Sequence, residues 1–499
     1  MKKALFLIIL TVVSVALRAQ DNGFLYTLEA NQGTRAIEVV NGCFIVSSYK
    51  TNPETNWQET PSQLQKLSSE GMLLKMVNVG ESFTSVALLH KDNNTGLVYA
   101  IGNHWDIAEG RFRPFVACYD NDLNPLSFTD VLGFPVSYTQ LVDARAAVDA
   151  DGRVLFVLTT FNSRYLILFT LDGEYLGYLS EANNTYGSGS PFLFHDGSEA
   201  LGHFGGLGEG LRKIDDELGV DTLFTLNVIQ NTSWMGSDTL YRLSLFNDPW
   251  PTAKSMADST FLIASMSLER LYNTPTTYYM ENNALFVKCD TLGRVLNYLL
   301  FDPWNDTIDR PAYYQAIDYT NDDAVYLCSF QQLEHDLNGP EFNGNRIVVT
   351  KTDRNLNVVW QKRYQLGNSY YVPIYILATS DGGCLIVGYS TTVGVSETRS
   401  LFVLKLNSEG TLSIPEVGTD NRPHAYTLFP NPVDDQLHLE FSPDVRPSVV
   451  ELYDIQGRLV RSQGKGLENV DMSELPAGTY TLRIVMEDGK AYSDKVVKQ

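Results

Sequence analysis

The sequence predicts an all-β chain, a seven-bladed β-propeller followed by a small Ig-like β-sandwich. Three observations lead there. A tight-turn signal followed by a β-rich run recurs seven times between residues 41 and 388. No 3.6-residue apolar period is sustained between Asp21 and Pro415, so amphipathic helices are not expected. After a polar stretch containing Pro and Gly, short alternating strands resume and run to the C-terminus, a spacing that suits a sandwich.

The N-terminus reads as a cleaved export signal covering residues 1–19. Lys2 and Lys3 precede an apolar run, 4–16, that is too short to span a bilayer. Leu17-Arg18-Ala19 supplies a small residue at the cut and leaves Gln20 first; a retained anchor is the alternative. No later stretch reads as transmembrane, so the mature chain is expected to have no membrane span. Its 499 residues exceed one ordinary domain. The expected division is a propeller over 20–415, a linker over 416–423 and a C-terminal domain over 424–499.

Within 20–415 each unit opens on a turn. These are Asn41-Gly42, Asn94-Thr95-Gly96, Asp151-Gly152, Asp196-Gly197, Asp258-Ser259, Asp322-Asp323 and Asp381-Gly382-Gly383. Asn-Gly and Asp-Gly suit tight hairpins because they tolerate positive φ. A second apolar run, such as 115–119 or 401–406, ends in a second turn, and a short outer strand follows. The second turns include Ser69-Glu70-Gly71, Asp122-Leu123-Asn124, Asn355-Leu356-Asn357 and Glu409-Gly410. Four antiparallel strands repeated about every 45–65 residues is the period of propeller blades. A lone blade cannot bury both faces, so neighbours must stack. The long insert 222–257 leaves six or eight blades open as alternatives. Strand 24–29 either completes the last blade or forms a loose lead-in.

The C-terminal strands 437–441, 449–453 and 479–485 carry spaced motifs: Phe429-Pro430-Asn431-Pro432, Leu452-Tyr453-Asp454-Ile455-Gln456-Gly457-Arg458, Leu475-Pro476-Ala477-Gly478-Thr479-Tyr480, and a basic finish at Lys495 and Lys498. This segment resembles the type A C-terminal sorting domain of the type IX secretion system. Phe429 stands where that family more often has Tyr. The resemblance implies an Ig-like fold, recognition by the outer-membrane translocon through Pro430, Asn431, Pro432, Gly457, Gly478, Tyr480, Lys495 and Lys498, and delivery to the surface or medium. The passenger resembles kelch-like or WD-like propellers in architecture alone, since their Gly-His and Trp-Asp signature is missing.

A net charge of −22 argues against nucleic acid and against an anionic membrane held by charge. The cysteines, Cys43, Cys118, Cys289, Cys328 and Cys384, sit singly in apolar runs and read as buried thiols. One aromatic follows the second strand in six of the seven units: Tyr49, Trp105, Phe161, Phe204, Phe330 and Tyr389, with Leu268 as the exception. Such rings offer flat apolar area with a polar edge, which suits a sugar face or a peptide side chain; the competing reading is that they plug gaps between blades. Trp57, Tyr272, Tyr278 and Tyr279 lie in long polar loops and are further candidates. No nucleophile elbow, metal-ligand spacing or dinucleotide loop is present. His104-Trp105-Asp106 lacks a nucleophile, and adjacent Glu334-His335-Asp336 cannot readily share one ion. No cofactor and no metal are expected. The function expected is non-catalytic binding of a glycan or protein. The alternative is an extracellular hydrolase or lyase on polysaccharide or peptide, which would need paired ionisable groups at the propeller mouth.

Overall fold

The computed structural model describes residues 17–18, 23–28, 31–50, 61–81, 83–136, 138, 143–182, 190–194, 201–205, 210–215, 218–224, 239–240, 252–274, 277–301, 307–320, 324–333, 345–364, 369–392, 399–412, 426–430, 433–441, 446–453, 459–486 and 491–498. The chain is all-β and forms many small antiparallel sheets. A single 3-10 turn, Val40–Gly42, is the only helical element among the described residues. The chain divides into two compact units, Asn22–Leu412 and Ser413–Gln499. Among the described residues no helix is long and apolar enough to cross a membrane.

Among the described residues the first unit contains seven sheets, met in chain order. The first holds Asn31–Glu38, Phe44–Lys50, Gln63–Leu67 and Leu73–Asn78. The second holds Thr84–Lys91, Val98–Asp106, Arg111–Tyr119 and Pro125–Asp130. Asp143–Val148 through Tyr175–Ala182 form the third, and Ser190–Leu193 through Val220–Phe224 the fourth. The fifth runs from Thr252–Ser255 through the long hairpin Phe261–Thr274 and Thr277–Cys289 to Val295–Leu300. The expected long loop after Leu268 is therefore strand, and it carries Tyr272, Tyr278 and Tyr279. In the sixth, the first strand is split into Thr307–Pro311 and Ile317–Tyr319, followed by Val325–Leu333, Arg346–Thr352 and Val358–Tyr364. The seventh joins Ser369–Ala378, Cys384–Thr392 and Arg399–Leu406 to the N-terminal strand Phe24–Leu28. That strand pairs Phe24 with Lys405 and Leu28 with Leu401, so the seventh sheet draws strands from both ends of the unit.

Local chemistry explains the repeat. At each turn between third and fourth strands, one polar side chain accepts the backbone N–H four residues on, and at most of them also the one two residues on. Asp120 accepts from Asp122 and Asn124, Asp290 from Leu292 and Arg294, Asp353 from Asn355 and Asn357, and Asn407 from Glu409 and Thr411. Ser68 does the same at its turn, and Thr170 and Asp215 accept the N–H four residues on. Three residues after each of these stands a residue with positive φ: Gly71, Leu123, Gly173, Leu218, Gly293, Leu356 and Gly410. Glycine takes that conformation without a Cβ penalty. Leu123 and Leu356 bear the penalty and are fully buried, so apolar burial offsets the backbone cost.

The cores lie between successive sheets. Tyr26, Phe44, Val46 and Leu67 pack with Leu385, Val387 and Val403 between the first and seventh sheets. Ile45, Leu64 and Val86 with Ala100 fill the space between first and second, and Ile101, Val116, Phe156 and Phe169 that between second and third. All five cysteines are free thiols, four of them buried; burial pushes Cys289 and Cys384 up to about 12.

The second unit has a three-stranded sheet, Tyr426–Phe429, Gln436–Phe441 and Asn469–Asp471, and a four-stranded one, Leu459–Gln463, Pro447–Tyr453, Gly478–Met486 and Ala491–Lys498. Leu437, Leu439 and Val470 from the first meet Val450, Leu452, Leu482, Ile484 and Val496 from the second in one core. Gly478 pairs with Lys498, Thr481 with Lys495, and the Tyr480 hydroxyl donates to the Pro476 carbonyl at 2.7 Å. Pro430 is exposed after the first strand. Asn431, Pro432, Gly457, the linker 416–423, Trp57 and 334–336 lie outside the described residues, as does nearly all of 1–19.

Candidate ligand-binding site

The first strands of the seven sheets meet at one cavity of ≈ 220 Å³. Arg35 from the first sheet, Ala87 and His90 from the second and Arg145 from the third contribute to its wall. Ser190, Lys254 and Tyr375 come from the fourth, fifth and seventh sheets, and the sixth supplies Tyr314 and Gln315 from the break in its first strand.

Bulges build this wall. The pairing of first and second strands slips by one residue between Gly33 and Arg35, between Val86 and Leu88, and between Pro373 and Tyr375. A bulged residue leaves the ladder and its carbonyl becomes available to other donors. Each of the three is used. Thr34 O accepts Arg35 Nη1 at 2.9 Å, Ala87 O accepts Arg35 Nε at 2.7 Å, and Ile374 O accepts the Tyr314 backbone N–H at 2.8 Å. Room for the kinks comes from glycine on the facing strand. A Cβ on Gly102 would lie 1.9 Å from Ser85 O, and one on Gly388 would lie 2.1 Å from Val372 O.

Arg35 lies 4.0 Å above the Tyr314 ring, and Arg145 is 5.5 Å from the same ring. Arg145 pairs with Asp143 at 3.2 Å and donates to Tyr313 O at 2.9 Å. Burial lowers the Arg35 pKa, against the restoring fields of Tyr314 and Asp143. Burial raises Tyr314 to about 12, with Asp143 adding to the effect. Lys254 is held at 3.1 Å from Asp318; burial pulls its pKa down, but Asp318 and Tyr375 outweigh that and the net shift is upward. His90 is lowered by burial.

A cluster of rings adjoins the cavity through Tyr314. Tyr313, Tyr314, Tyr370 and Tyr389, all partly exposed, pack against buried Phe330, Val372 and Ile374. Arg399 sits 4.5 Å over the Tyr389 ring and donates to Gln32 at 2.6 Å, tying the seventh sheet to the first. Tyr49 belongs to the same field: burial raises its pKa, and Tyr314, Arg399, Tyr389 and Arg35 all act on it. Tyr370 and Tyr389 are likewise raised by burial. These phenols are neutral at physiological pH, suited to hydrogen bonding and stacking.

Three of the six sequence-predicted rings therefore converge: Tyr49, Phe330 and Tyr389. Within that group Phe330 is fully buried and serves as a floor, 5.7 Å from Tyr313. Trp105 packs edge-on against Phe112 at 4.9 Å. Phe161 is 50% exposed at the turn after Thr159. Phe204 pairs with Ser190 and Leu211 in the fourth sheet, and its side chain lies outside the described residues. His104 turns to Asp130, 2.9 Å away, while Asp106, two residues on, pairs with Arg113 at 2.6 Å. Sequence reasoning missed Arg35, Arg145, Tyr313 and Tyr314; the Tyr313-Tyr314 and Tyr370-Tyr371 doublets ahead of buried strands were the available signal.

The family described as Secretion system C-terminal sorting domain matches residues 427–499. The C-terminal unit is thus a type IX sorting domain, and the protein is exported to the cell surface or secreted. No curated relative matches the sequence. Among solved structures, the polysaccharide lyase Uly1 aligns with TM-score 0.42 and 11% identity, covering 75% of this chain and 90% of that one. The PL25 ulvanlyase aligns at TM-score 0.35 and 10% identity over 77% and 80%. The α-L-arabinofuranosidase Arb93a of Fusarium graminearum aligns at 0.33 and 8% over 77% and 95%. At such scores nothing about function carries over.

Proposed function

We propose that this chain is a seven-bladed β-propeller carried to the cell surface by an Ig-like type IX tail, and that the propeller is a non-catalytic module binding a glycan or protein. Seven like sheets packed in succession, with the N-terminal strand latched into the last, support the propeller. The Tyr480 hydroxyl bonded to the backbone four residues upstream supports the Ig-like reading, where a tyrosine corner does the same. Residues 1–19 are read as the export signal, and the sorting motif from Pro430 to Lys498 as the translocon's handle.

The convergence of Tyr49, Tyr313, Tyr314, Tyr370 and Tyr389 beside Arg399 carries the binding reading. Partly exposed rings with guanidinium edges are what a sugar face or peptide side chain stacks on. A general base needs a pKa near the working pH, and burial moves Tyr49, Tyr314, Tyr370 and Tyr389 the other way. Glycan arrays and peptide pulldowns with the mature full chain test the proposal. The expected result is a retained ligand whose capture falls with Tyr389→Ala. Turnover of a polysaccharide or peptide by the wild-type chain would replace it with the hydrolase or lyase reading.

A further inference from the structure

We infer that the cavity at the meeting of the seven first strands is a binding site for one carboxylate-bearing group of monosaccharide size, with Arg35 as its principal anchor. The inference deepens the binding-module reading and rests on it.

Charge points to an anion. Arg145 has Asp143 at 3.2 Å and Lys254 has Asp318 at 3.1 Å, so both cations are matched. Arg35 has no carboxylate within ion-pair distance among the described residues. Asp143 is committed elsewhere, to Arg145 and to the Ala144 backbone N–H. Arg35 is 4% exposed and shares the field of one carboxylate, Asp143, with Arg145, so the buried pair of guanidiniums carries a positive excess, a costly arrangement. In a chain of net charge −22, a buried positive excess is a local exception.

Donor capacity points the same way. A guanidinium has five N–H groups. Arg35 directs Nε to Ala87 O, Nη1 to Thr34 O and Nη2 to Ala144 O, the last at 3.5 Å. Two N–H groups are left over on a side chain that lines the cavity. A carboxylate is the acceptor that satisfies two guanidinium N–H groups at once. The Tyr314 ring under the guanidinium holds the plane fixed, and Ser190 and Gln315 add polar edges to the wall. The cavity, ≈ 220 Å³, has room for a single sugar ring.

The test is titration of the mature full chain with D-glucuronate, D-glucose and inorganic sulfate, by calorimetry and ligand-observed NMR. Glucuronate should bind, with glucose and sulfate each weaker by about tenfold or more. Arg35→Gln should weaken glucuronate by about tenfold or more. Because Arg35 also braces three sheets, Arg35→Lys is the second variant; it keeps the charge, loses the fork, and should weaken glucuronate while remaining folded by circular dichroism. Equal binding of glucose or sulfate, no glucuronate binding by wild type, or full retention by a folded Arg35 variant overturns the inference. Array ligands captured by wild type without any glucuronate binding remove this inference alone. Glucuronate binding alongside turnover of a polymer keeps the site and removes the non-catalytic reading.

Discussion

Gly388→Ala tests how the bulges shape the site. Gly388 faces Pro373, next to the register shift before Tyr375. A Cβ there would stand 2.1 Å from Val372 O and 2.8 Å from a Phe402 ring carbon. Ordinary C···O contact begins near about 3.3 Å, so the two strands must part by roughly 1 Å. The obstacle is backbone and cannot swing aside. Overpacking of this kind costs about 1–3 kcal/mol, more than the ~0.5–1 kcal/mol a strand gains from Ala over Gly. Unfolding entropy is about 2.1 cal/mol/K per residue. Over Asn22–Leu412, about 390 residues, that gives about 0.8 kcal/mol/K, so a 2 kcal/mol loss lowers Tm by about 2–3 °C. Gly102→Ala, whose Cβ would lie 1.9 Å from Ser85 O in the second sheet, should lose a similar amount. The double variant should lose about the sum, since the sites lie in different sheets. Scanning calorimetry reads all three. Gly478→Ala in the other unit, with nothing within 4 Å of its Cβ, is the control. Midpoints for both bulge variants within about 1 °C of wild type would refute the account.

Phe330→Ala should cost about 3–5 kcal/mol in urea denaturation because the ring is fully buried, whereas Tyr389→Ala should cost less stability and more ligand capture. Acid should weaken the first unit. Hydrogen bonds from the Asn124 side chain and backbone hold Asp120 below the usual carboxylate range, and at Asp353 the bonds from Asn357 and Asn355 outweigh burial, which acts the other way. A carboxylate depressed by folding contributes stability above its unfolded pKa of about 3.9, and that contribution disappears as pH falls through the lower folded value. Urea midpoints measured from about pH 5 to pH 2 should therefore fall, with a shallower slope in Asp353→Asn. Deleting the chain from Asn421 onward should leave a folded passenger in the periplasm; normal export of that truncation, read by fractionation, would contradict the sorting role.

Much of the scaffold was readable because its signals are local. Asp120-Asn121-Asp122-Leu123-Asn124 encodes a turn within five residues, through one carboxylate and its own backbone. The same holds for Asp353 to Asn357. The C-terminal motifs are also contiguous, and the family match covers them. The site was read only in part. Tyr49 and Tyr389 stood out by position in their units, but nothing local separates them from Trp105, which packs on Phe112 instead. Arg35 drew no notice because its partners, Ala87 O and the Tyr314 ring, lie far along the chain.

Strand spacing, turn chemistry and the sorting address were thus written in short stretches of residues, where each group meets partners a few positions away. Which rings gather and which stay apart, and that the Arg35 guanidinium sits over Tyr314, followed from sheets distant in sequence packing side by side. Bulges at Thr34, Ala87 and Ile374 set that outcome, because a one-residue slip in pairing re-aims every carbonyl and side chain around it.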